Sequence, residues 1–239
     1  MTLPAFWLIF LLLENKRTAN DKLGFVERSV DMENIKLSHT LKSYSMVFLV
    51  GIFIGCICRL LDYCSLDSLW GFSSIQTLLG FWIITNTIIV LLSTSNKCAG
   101  ISSFLYMFGM TLSFYGLQAI LGMFIPLFSG GFRKSLFILF TLLSIPCAIA
   151  AFVLYYWNKD NALSSLLYSL PLGALVAEII AIFYNILQHN RFAFLFQLIM
   201  DIVGTIVFGI IFFKRVKYKK IYIVGIVLSA LIFYFIFPW

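Results

Sequence analysis

Hydrophobic residues run along this chain in long blocks parted by short polar connections. From residue 44 onward there are seven such blocks, at about 44–64, 71–93, 99–121, 134–157, 162–187, 192–213 and 220–238. A helix needs about 20 residues to cross roughly 30 Å of hydrocarbon, and each block has that length. The short alternating segments of a β-barrel are missing. A backbone facing lipid must satisfy its own hydrogen bonds, so the pattern predicts helices. The short connections predict antiparallel neighbours. The expected fold class is therefore all-α: a polytopic transmembrane helical bundle of about seven spans over residues 44–239, with no soluble domain inserted. No internal repeat of the kind that marks many secondary transporters is visible.

Residues 1–43 have another pattern and form a separate expected unit, an N-terminal arm. Its apolar run "LPAFWLIFLLL" at 3–13 has only eleven residues. That is too short to span, and it lacks the basic leader and small-residue cleavage site of a signal peptide. Residues 14–43 carry Lys16, Arg17, Lys22, Arg28, Lys36 and Lys42 among five acids. They read as a polar segment or an amphipathic helix on the membrane surface.

Composition strengthens the membrane reading. Of 239 residues, 62% are hydrophobic and 11% are charged, with 26 Phe. A soluble chain of this length could not bury so much apolar surface. The formal charge of +7 does not indicate nucleic acid, because the basic residues lie in short loops and no recognition motif occurs. The loops give an orientation, since Lys and Arg concentrate on the cytoplasmic side. With the arm inside, that side holds the arm's six, Lys97, Lys159, Lys214, Arg215, Lys217, Lys219 and Lys220, which is thirteen of the seventeen. The outer side holds Arg59, Arg133, Lys134 and Arg191. The expected location is the cell (inner or plasma) membrane, with the arm cytoplasmic and Trp239 outside.

Ionisable groups inside a bilayer are costly and usually face a bundle interior or a wet cavity. Glu178 falls within "LGALVAEIIAIF", Asp201 within "QLIMDIVGTIV", and Arg59 and Asp62 at the outer part of the first span. At 1.5 Å per residue, Arg59 and Glu178 come about 7 and about 6 Å outside the midplane, and Asp201 close to it. Arg59 is thus expected to turn inward and pair with Glu178 or Asp201, directly or through water, because an unpaired buried charge is expensive. The competing reading has Arg59 snorkelling to the headgroups. In the first case Ser73, Ser74, Gln76 and Gln118 would complete an outward-facing pocket, while Trp70, Tyr63 and Tyr115 fit an interfacial belt. Gly51 and Gly55 form a GxxxG pattern that lets another helix approach closely, within the bundle or from a partner.

Other features add little chemistry. Cys56, Cys58, Cys64, Cys98 and Cys147 match neither a zinc nor a redox spacing. His39 and His189 are the only histidines. No HExxH, nucleophile elbow or Walker loop is present, and "FSGG" at 128–131 has the wrong order for an elbow. The loop "GMFIPLFSGGF" at 122–132 could cap an outer cavity or lie at the lipid interface. Pro146 and Pro171 are expected to kink the fourth and fifth spans. No catalytic residue, metal or cofactor is expected.

"RLLDYCSLDSLWGFSSIQTLLGFW" at 59–82 and "YYWNKDNALSSLLYSLPLGALVAE" at 155–178 resemble a group of uncharacterised polytopic membrane proteins of low-GC Gram-positive bacteria, over about residues 44–239. That resemblance implies no function. More loosely, a compact bundle with an outward pocket looks like the substrate-binding subunits of energy-coupling-factor transporters. There, small residues on the first span meet the coupling subunit, and Gly51 and Gly55 would be their counterparts; this chain departs by one extra span and no vitamin-binding motif. The expected function is binding or moving a small solute, alone or as a subunit of a larger transporter. The alternatives are a non-transporting interaction or immunity-type protein and, third, a lipid-modifying enzyme. Expected partners are the lipid bilayer, a small solute, and a membrane protein or a second copy.

Overall fold

The computed structural model describes residues 36–61, 78–125, 131–159, 161–189 and 192–237. The short apolar run and most of the basic arm fall outside them. The described residues from Leu37 onward belong to one compact helical unit. Its helices are α1 (Leu41–Leu61), α2 (Gly80–Leu92), α3 (Asn96–Gly122), α4 (Lys134–Leu154), α5 (Ala162–His189), α6 (Leu195–Arg215) and α7 (Lys219–Ile236). Single 3-10 turns extend α4 (Tyr155–Asn158) and precede α6 (Phe192–Phe194). Among the described residues the one extended contact is an isolated bridge between Leu37 and Ser93.

Six of the helices are long and apolar enough to cross a membrane. The exception is α2, with 13 residues. At 1.5 Å per residue that is about 20 Å, short of a bilayer's hydrocarbon. The block at 71–93 was expected to span as a whole; its described helix begins only at Gly80. Helices α4 and α5 run on as single elements through Pro146 and Pro171.

Small residues decide which helices meet. A Cβ on Gly51 would overlap the Tyr106 carbonyl, and one on Gly55 would overlap the Met110 carbonyl and the Ser113 hydroxyl. From the other side, Gly109 packs against the Phe48 backbone. The GxxxG contact is therefore made inside the chain, between α1 and α3. A second seam joins α5 to α7: Gly173 lies against Ser229, and Gly225 against Ser169. Ser229 Oγ donates back to the Gly225 carbonyl at 2.6 Å, so a polar side chain enters the seam with its hydrogen bond already made.

Helix α5 is the most enclosed span, while α4 is the most exposed. Around α5 pack α6, α7 and the short α2, which also touches α3 and α4. Where α5 starts, Trp157 stacks on Tyr168 with ring centres 4.9 Å apart, and Phe212 leans on both. Such aromatic pairs add to their area burial. The outer surface is apolar: Phe53, Leu142, Ile149, Ile223 and Phe235 are all exposed. Water would not tolerate a surface of this kind, whereas lipid does. The helices thus fit an integral membrane protein.

A buried carboxyl pair as candidate functional site

Asp201 and Glu178 are both completely buried. They come from α6 and α5 and lie close enough for their charges to act on one another. One turn before Asp201 on α6 is Gln197, whose Nε2 donates to Asp201 Oδ1 at 2.8 Å. The other three carboxyl oxygens, Asp201 Oδ2 and Glu178 Oε1 and Oε2, accept no hydrogen bond among the described residues. Buried polar atoms are nearly always satisfied, so a cluster of three that are not is unusual.

The pair sits at the start of α2. A Cβ on Gly80 would overlap Asp201 Oδ1 and come within 2.7 Å of Gln197 Nε2. Only a residue without a side chain lets the α2 backbone come this near. The backbone amides of Leu79 and Gly80 lie alongside the Glu178 carboxyl without closing a hydrogen bond to it. The first turn of α2 has no side-chain cap, the residue before it being Leu79. Unsatisfied amides at a helix start carry partial positive charge, which favours negative charge on an adjacent carboxyl. Two carboxyls, one amide and an uncapped helix start thus lie together in the buried interior.

Arg59 does not join them. It is buried at 7% exposure, but its guanidinium lies 4.8 Å over the Phe114 ring, between α1 and α3. That is cation–π range. Neither Glu178 nor Asp201 accepts a bond from it among the described residues. The expected direct pairing is thus corrected: the side chain is enclosed against α3. The physical reason lies in the small residues above: Gly51 and Gly55 hold α1 against α3, whereas both acids are on α5 and α6.

Of the other candidates, Gln118 is buried on α3 one turn beyond Phe114, on the Arg59 side of the bundle. Asp62, Ser73, Ser74 and Gln76 lie outside the described residues, as do Tyr63 and Trp70. Tyr115 is buried among Phe132, Phe137 and Phe140 rather than placed in an exposed belt. A groove of ≈ 370 Å³ lies elsewhere, between α3 and α4.

Sequence reading passed over Gln197, Gly80 and Asn86. For Gln197 a signal existed, since glutamine four residues before aspartate is a helical hydrogen-bonding pair. For Gly80 there was none, because its partners come from another helix. Asn86 receives a hydrogen bond from Ser103 Oγ and donates to the Trp82 carbonyl at 2.8 Å, a polar tie between α2 and α3.

No protein-family model, curated protein or solved structure matches this chain. The site has to be understood from its own chemistry.

Proposed function

We propose that this integral membrane protein binds or moves a small solute, and that Glu178 and Asp201 are the protonatable centre of that activity. One observation carries the reading: two carboxyls whose charges act on one another are fully buried, and three of their four oxygens have no hydrogen-bond partner among the described residues. Desolvating an ion costs several kcal/mol even after relaxation, and ionisable groups inside membranes commonly mark substrate or proton pathways. Two such groups whose charges act on one another titrate as a unit. A proton held between them cancels one of their two charges when the site is empty, and a cationic or amine-bearing solute can take its place. The uncapped start of α2 supports the remaining negative charge. The bias of basic residues supports an arm in the cytoplasm and access from the outer side.

Carbodiimide labelling tests this reading. The reagent attacks protonated carboxyls in apolar surroundings. Peptide mapping of the purified protein should find the adduct on Glu178 or Asp201. A panel of amines, amino acids and vitamins should contain a solute that both protects against the reagent and raises thermal stability, and Glu178→Gln should abolish both effects. An unmodified pair, with no solute shifting the unfolding temperature, would sink the reading.

A further inference from the structure

We propose that the groove between α3 and α4 holds one anionic phospholipid, with an acyl chain in the groove and the phosphate at Lys97. The groove is separate from the carboxyl pair, and the inference does not depend on it. One wall is Lys97, Gly100, Ile101 and Phe104 from α3. The other is Ile145, Ala148, Ile149 and Phe152 from α4. Each set follows the i, i+3, i+4, i+7 spacing of a single helix face. Two complementary stripes thus meet along two helical turns, about 10 Å.

Small residues form the floor. A Cβ on Gly100 would already stand 3.3 Å from the Ala148 carbonyl oxygen and 3.3 Å from Phe152 Cβ. The backbones therefore approach closely at mid-groove, and the larger side chains stand up on either side. Every lining residue except Lys97 is apolar, and the groove opens sideways onto the surface that the spans present to lipid.

The groove has one charged end. Because Gly100 meets Ala148 and Phe152, Lys97 lies where α4 gives way to its last 3-10 turn. The structure turns polar at that level. Tyr155 donates its hydroxyl to the Thr94 carbonyl at 2.6 Å. Lys159 Nζ stands 4.7 Å over the Tyr156 ring, which lies edge-to-face with Phe152, ring centres 6.2 Å apart. Lys97 therefore stands at the polar end of the groove, Lys159 lies beyond it over the Tyr156 ring, and α3 starts there with its positive end. An apolar slot that ends in a cation complements a molecule with an apolar tail and a negative head. A partner helix fits less well, since a spanning helix would need an apolar strip the length of the bilayer rather than two turns.

The test uses the intact protein in mild detergent. It is irradiated with phosphatidylglycerol or phosphatidylcholine bearing a diazirine midway along one acyl chain, and adducts are mapped by peptide mass spectrometry. Phosphatidylglycerol adducts should gather on residues 100–104 and 145–152. They should exceed those of phosphatidylcholine about fivefold, the discrimination expected of one interfacial lysine. Lys97→Gln should cut the phosphatidylglycerol excess over phosphatidylcholine, and Ala148→Leu, which fills the slot, should remove labelling by both. Adducts spread evenly over the exposed faces of α4 and α7 would overturn the proposal. So would equal labelling of the native protein by the two lipids, or an undiminished preference in Lys97→Gln. The mapping is done on the unaltered chain, so it decides the matter even if a variant fails to fold.

Discussion

Gln197 Nε2 donates to Asp201 Oδ1 at 2.8 Å inside the bundle, and both side chains are fully buried. The bond joins successive turns of α6, so it costs little chain entropy to form. It leaves Asp201 Oδ2 without a hydrogen bond among the described residues.

Removing one partner of that bond should therefore be worse than replacing it by a neutral isostere. Asp201→Ala strands the Gln197 amide and should destabilise by about 1–3 kcal/mol, the penalty of an unsatisfied buried group. Asp201→Asn keeps an acceptor and removes the charge, so it should cost less. Thermal unfolding in detergent compares the two. Equal losses would mean that the Gln197 bond contributes nothing.

Two glycines should respond oppositely to the same change. Gly80→Ala places a methyl group on Asp201 and Gln197 and should destabilise by about 1–3 kcal/mol through overpacking. Gly116, inside α3, has nothing within 4 Å of its would-be Cβ. Gly116→Ala should be neutral or stabilise by up to about 1 kcal/mol, from helix propensity. Unfolding temperatures of the two variants should fall on opposite sides of the parent or nearly so. A tolerated Gly80→Ala would show that the start of α2 does not press on the pair.

Gly55→Leu should separate α1 from α3, because even a Cβ there overlaps the Met110 carbonyl. The loss should be at the upper end of, or beyond, the roughly 1–3 kcal/mol typical of overpacking, since the obstacle is backbone. Cross-linking between cysteines introduced at Phe48 and Phe108, whose rings stack at 6.2 Å, reads the same contact directly. Unchanged cross-linking and unchanged stability would place the work of Gly55 elsewhere.

Orientation is open to a chemical test. Single cysteines at Gly131 and near Arg191 should react with a membrane-impermeant maleimide in intact cells, and one at Lys217 should react only after lysis. Labelling of Lys217 in intact cells, with the other two protected, would invert the proposed topology.

Much of the architecture was legible in the sequence because its cause is local. Apolar blocks of spanning length have no other stable form in lipid, and their ends at 96–122, 162–189 and 195–215 follow the hydrophobic pattern within a few residues. The short α2 was less legible. Its block carries no charge, and hydropathy does not reveal where a helix begins inside such a block.

The chain alone determined that its buried acids are few and that two of them fall at similar depth, since depth follows from position along a helix. Only the tertiary structure decided which charges meet. Arg59 has the right depth to join Glu178 and Asp201, yet it rests on Phe114. That choice belongs to Gly51, Gly55 and Gly109, which lock α1 to α3, and to Gly80, which lets the start of α2 reach the acids. The spacing of residues along one helix fixes height in the membrane. The direction in which each helix finds its neighbour depends on side-chain volume at contacts between distant segments, and a single sequence read locally does not contain it.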